Sequence, residues 1–77
     1  MKVEQIRMKV ENYNRASFKL FALTYIVEKT TKGSFSIYAI SLPKLKRYYK
    51  SFDELITEYR IFGDNIISYE DRVKILD

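Results

Sequence analysis

Apolar positions in the first dozen residues recur with a helical period. Val3, Ile6, Val10 and Tyr13 fall at i, i+3, i+7 and i+10 with charged residues between them, which is one stripe of an α-helix. The spacing predicts a first helix over residues 2–13, terminated by Asn12 and Asn14. From Phe18 to Glu28 the helical period is lost. The segment is rich in β-branched and aromatic residues and reads as a strand. The polar run Lys29-Thr30-Thr31-Lys32-Gly33 is a hairpin signal, with Gly33 supplying the permissive backbone. Ser34 to Leu42 follows as a second strand, with Phe35, Ile37 and Ala39 on one face and Tyr38, Ile40 and Leu42 on the other. Both strands carry apolar groups on both faces, so helices are expected over one face and a partner or second copy over part of the other.

Pro43 ends the second strand because it has no N–H to donate to a ladder. Lys44 to Lys50 then reads as a third, edge strand. Ser51-Phe52-Asp53-Glu54 is a capping box, in which the serine oxygen accepts from the Glu54 amide and Glu54 reaches back to the Ser51 amide. Phe52, Leu55, Ile56 and Tyr59 share one helical face, so a second helix is predicted over 52–61 with Gly63 at its C′ position. Ser68-Tyr69-Glu70-Asp71 is another N-terminal signal, followed by Val73 and Leu76 at helical spacing from Tyr69. That favours a short terminal helix, while Arg72 to Leu76 reads equally as a strand. No repeat or linker interrupts the chain. The expected fold class is α+β in one domain spanning 1–77: an N-terminal helix, an antiparallel β-hairpin or three-stranded meander, then one or two C-terminal helices. Residues 18–61, with a turn glycine, an aromatic strand, a basic strand and a helix opening Ser51-Phe52-Asp53-Glu54-Leu55, are arranged in a way that resembles the arm-binding domains of phage integrases and antitoxins of the HicB kind. The resemblance is one of fold, and a shared fold does not transfer a function.

Composition narrows the chemistry. The 77 residues include no Cys, His or Trp, which removes disulfides, the common zinc sites and thiol or imidazole catalysis. The six serines occur without a Ser-x-x-Lys or Gly-x-Ser-x-Gly motif. The two glycines stand apart, so no loop is built to cradle a phosphate. Asp53, Glu54 and Glu58 lack calcium-loop spacing, and the first two suit a helix N-terminus. A non-enzymatic chain without cofactor or metal is expected. Leu20 to Val27 is far shorter than the ~20 residues of a membrane helix, and charges interrupt any signal-peptide core near the N-terminus. A cytoplasmic domain without membrane contact is the expectation. Nine Ile and nine Lys beside three Ala suggest an AT-rich coding sequence, as in low-GC bacteria and their phages.

The net charge of +4 conceals an asymmetry. Residues 1–50 carry eleven Lys/Arg against three acids, a net +8, whereas residues 51–77 carry three against seven, a net −4. Such a division points to an anionic partner for the basic part. Within Lys44–Lys50, strand alternation puts Lys44, Lys46, Tyr48 and Lys50 on one face and Leu45, Arg47 and Tyr49 on the other. Ammonium groups two residues apart, ~6.5–7 Å, match the order of phosphate spacing in nucleic acid, and Tyr48 is placed to stack on a base. Lys19, Lys29, Lys32, Arg7, Lys9 and Arg15 are candidates to extend this surface. The alternative is a lysine-rich edge that merely discourages aggregation.

Twelve Phe and Tyr residues are more than a domain of this size buries completely. Phe18 or Phe21, Tyr25, Phe35, Phe52 and Tyr59 are the core candidates. Tyr13, Tyr38, Tyr48, Tyr49, Phe62 and Tyr69 cannot all be inside. Exposed tyrosines beside arginines have the composition of a protein-binding surface, and a homodimer would also cover the surplus. The functional expectation is a regulatory or inhibitory binding protein, encoded by a phage or mobile element, that acts on a protein or nucleoprotein partner. An inhibitor of a host nuclease, of the anti-CRISPR type, is one example. Lys44, Lys46, Arg47, Tyr48, Tyr49, Lys50, Lys19 and Lys32 are its candidate contacts. The alternative is direct, largely sequence-independent binding of nucleic acid.

Overall fold

In the computed structural model, which describes residues 1–76, the stripe Val3–Ile6–Val10 is buried and α1 spans Lys2–Tyr13, as its spacing predicts. Asn14 ends it in a left-handed conformation, φ 63°, and its N–H bonds back to the Val10 carbonyl. Met1 offers no side-chain cap. The cap comes from the distant Glu70, whose carboxylate accepts from the Lys2 N–H and, at 2.9 Å, from the Val3 N–H. A negative group there also meets the positive end of the helix dipole.

The segment read as one strand divides into two. Strands β1 (Arg15–Leu20) and β2 (Leu23–Lys29) form a hairpin through the tight turn Phe21-Ala22. No glycine or asparagine announces this turn. Phe21 instead takes φ 57°, a conformation that costs an L-residue roughly 1–2 kcal/mol, while its ring packs edge-on against Phe62 and Tyr69, each 5.6 Å away. The second hairpin turns at Gly33, φ 87°, into β3 (Phe35–Ala39). Pro43 opens a 3₁₀ turn, Pro43–Leu45, and this shortens the predicted edge strand to β4 (Arg47–Tyr49).

Helix α2 (Phe52–Glu58) starts at Ser51, whose Oγ accepts from the Glu54 N–H at 3.0 Å. Glu54 reaches back one residue further than expected, accepting from the Lys50 N–H at 3.1 Å. The helix stops short of residue 61, and Gly63 belongs to a separate turn that pairs Ile61 with Asp64. The tail takes the strand alternative. After a 3₁₀ turn at Ile66–Tyr69, β5 (Lys74–Leu76) pairs antiparallel with β1.

The fold class is α+β as expected: an N-terminal helix, an antiparallel sheet, then a helix. The sheet is larger than a meander, with five antiparallel strands in the order β4-β3-β2-β1-β5. Helix α1 lies against β1, β2 and β5, and α2 against β3 and β4. Both cover the face that carries Ala16, Phe18, Leu20, Tyr25, Val27, Phe35, Ile37 and Ala39. Phe18, Tyr25, Phe35 and Phe52 are buried, Tyr59 is half-buried and Phe21 is largely exposed. Of all buried apolar residues, Ile26 alone lies outside this core, because it points to the other face of the sheet.

Candidate functional site

That other face has no helix over it, and the strand registers define what it presents. Lys74 on β5 stands opposite Lys19 on β1, which stands opposite Thr24 on β2. The next row runs Leu76, Ser17, Ile26 and Tyr38. The third runs Arg15, Glu28, Ser36 and Tyr48. Lys46, immediately before β4, joins the two tyrosines: its Nζ lies 5.2 Å from the Tyr38 ring centre and 5.7 Å from that of Tyr48. It also lies 3.7 Å from the Glu28 carboxylate. Ser36 is fully buried, and its Oγ has no hydrogen-bond partner among the described residues.

Among the described residues, the face therefore holds four cations, Arg15, Lys19, Lys46 and Lys74, against one acid, Glu28. Lys46 is neutralised internally. Arg15, Lys19 and Lys74 have no ion pair among the described residues. Lys19 and Lys74 are direct cross-strand neighbours, and like charges so placed destabilise a sheet.

The sequence-predicted residues divide between this face and other places. Lys19, Lys46 and Tyr48 come together on the open face, with Tyr48 62% exposed. Arg47 and Tyr49 turn to the helix side, where Tyr49 packs against the core. Its phenol is pushed up by burial and by Glu58 and Glu54, against the opposing pull of Arg47. Lys44 sits in the 3₁₀ turn and Lys50 lies beyond β4, both exposed and outside the ladder. Lys32 is in the β2–β3 turn, outside the ladder. Arg7 and Lys9 belong to α1. Arg7 pairs with Glu4 and Asp53 and lies over the Phe52 ring, while Lys29 pairs with Glu11.

Lys74 and Tyr38 join the face without having been named as contacts. The alternation of Lys74, Ile75 and Leu76 was the available signal for Lys74, and Tyr38 follows from the face assigned to it in the second strand. Tyr25, Tyr49 and Tyr59 all have phenols pushed above their usual range, chiefly by burial, so none is an activated base at neutral pH.

A second surface lies at the end of the sheet, where Phe21, Ile40, Leu42, Leu45 and Phe62 are exposed. A shallow groove of about 200 Å³ runs between Leu23, Leu42, Leu45, Tyr59 and Phe62. Phe62, like Phe21, is held left-handed, at φ 52°.

No protein-family model matches the chain, and neither a curated protein nor a solved structure matches it significantly. Among the described residues, no helix is long and apolar enough to cross a membrane, and no group of three potential metal-ligating His, Cys, Asp or Glu side chains is assembled.

Proposed function

We propose that this chain is a non-enzymatic, regulatory binding module that acts on a protein or nucleoprotein partner through the basic, tyrosine-bearing face of its sheet. The juxtaposition of Lys19 and Lys74 on a face with no covering helix carries the reading. Opposite charges across neighbouring strands stabilise a sheet, and like charges directly opposite destabilise it. Two unneutralised lysines in register, with Arg15 further along the same strand, favour an anionic surface as the occupant. The same charge disfavours a second copy docked face to face, since three unneutralised cations would meet three. Cytoplasmic action and a phage or mobile-element origin are part of the proposal, supported by composition alone.

Affinity capture from a host lysate, repeated after nuclease treatment, tests the reading. Capture should fall sharply when Lys19 and Lys74 are both replaced by Glu. Unchanged capture by that variant overturns the assignment of the face. A partner that survives nuclease is protein. A partner lost with the nucleic acid supports the second reading, direct and largely sequence-independent nucleic-acid binding, which the two exposed or half-exposed tyrosines beside the cations favour.

A further inference from the structure

The open face has a polarity across its width. Its unneutralised cations lie on β1 and β5, whereas its rings lie on β3 and β4, with the apolar Ile26 between them on β2. At the usual strand spacing, Lys19 and Arg15 are about 10 Å from the strand that carries Tyr38 and about 14 Å from that of Tyr48. That is the order of the distance from a phosphate to the far edge of its own base. Along β1, Arg15 and Lys19 are four residues apart, about 13–14 Å, which leaves room for two phosphate steps of an extended strand.

We infer that this face binds single-stranded nucleic acid, with the phosphates along Arg15, Lys19 and Lys74 and the bases reaching across the sheet toward Tyr38 and Tyr48. The inference rests on the reading of the open face as the binding surface, and it commits that surface to one ligand class. Tyrosine rings on a sheet stack only on bases whose π-faces are free, and a duplex hides those faces. Reading a duplex groove requires an element that enters it, usually a helix or a two-stranded ribbon, and here both helices lie on the opposite side. Lys46 already sits over both rings, and Glu28 holds it there. It therefore positions the tyrosines, leaving the phosphates to the unpaired cations on the far side. The lone acid of the face is thus neutralised and does not repel the ligand.

Fluorescence anisotropy with a labelled oligothymidine and with a duplex of equal length decides the matter. The single strand should bind at low salt and the duplex about tenfold more weakly. Three phosphate contacts predict a slope of about −2 for log affinity against log salt concentration. Lys19→Glu should abolish binding, because the new acid would pair with Lys74 and neutralise it as well. Tyr48→Ala should weaken binding about tenfold, the loss of one stacked base, while leaving the salt slope unchanged. Lys19 and Tyr48 are exposed, so both variants are expected to fold, and far-UV circular dichroism verifies this.

Equal or tighter binding of the duplex overturns the inference, as does single-strand binding that Lys19→Glu leaves intact. Absence of binding to either nucleic acid overturns it too, yet leaves the binding-module reading standing. That reading fails separately, when the doubly charge-reversed protein captures its partner unchanged.

Discussion

Ile37 and Ile26 are the same residue on neighbouring strands of one sheet, and both are almost completely buried. They achieve it differently. Ile37 faces the two helices and belongs to a continuous core of seventeen buried residues. Ile26 faces the uncovered side and lies outside that core. The covered face follows burial alone: every inward position on β1, β2 and β3 is apolar or half-buried at the ends. The open face has a buried serine without a partner, a lysine held over two tyrosines and two lysines set against each other. One side of the sheet is organised by stability. The other carries arrangements that the proposed binding role would account for.

The comparison is broken most forcefully by truncating both isoleucines. Ile37→Ala should cost about 3–5 kcal/mol, because the continuous core between the sheet and its two helices cannot close the cavity. Ile26→Ala should cost about 2 kcal/mol, since the surrounding side chains are free to collapse. Urea denaturation of the two variants checks the ranking, and equal costs would mean that the open face is packed as firmly as the core.

Next in size is the tie between the chain ends. Glu70→Ala removes the only side-chain cap of α1 among the described residues and should lower stability by about 1–2 kcal/mol. Thermal unfolding measures it, with Glu70→Gln expected to lose part of the effect by discarding the charge alone.

A smaller effect sets the covered face apart by pH. Burial raises the phenol pKa of Tyr25 and Tyr59 above the usual value near 10. Their stabilising contribution is fully present below pH 10 and is lost as the pH rises beyond it, toward and through the raised folded-state values. Unfolding followed across this range, together with phenolate absorbance, should show Tyr25 and Tyr59 ionising only as the fold loosens. Ionisation of Tyr25 and Tyr59 near pH 10 with the fold intact would contradict their burial.

The sequence made the covered face readable and the open one only partly so. The stripe of α1 and the capping box of α2 are local signals, and local structure obeys them. The Phe21-Ala22 turn carries no turn residue, because its strained backbone is held by rings from Phe62 and Tyr69 that arrive from far along the chain. β5 is three residues long, too short for alternation to compete with the chance helical spacing of Tyr69, Val73 and Leu76. The site shows the same division. Alternation alone puts Lys46 and Tyr48 together, whereas the meeting of Lys19 with Lys74 depends on a long-range register that packing sets. Pro43 is the instructive failure: β3 ends at Ala39, four residues before the proline expected to stop it, and Pro43 instead opens a 3₁₀ turn that removes Lys44 from the ladder.

The central claim is that the cations of the open face are kept at some cost to stability because they hold an anionic ligand. Lys74→Thr tests it in one protein with two readouts. Relief of the lysine pair should raise the stability by about 0.2–1 kcal/mol, a gain of a few degrees in Tm for a domain of this size, while binding of single-stranded oligonucleotide weakens. A variant with a lower Tm and undiminished binding would show that Lys74 serves the fold and that the account is wrong.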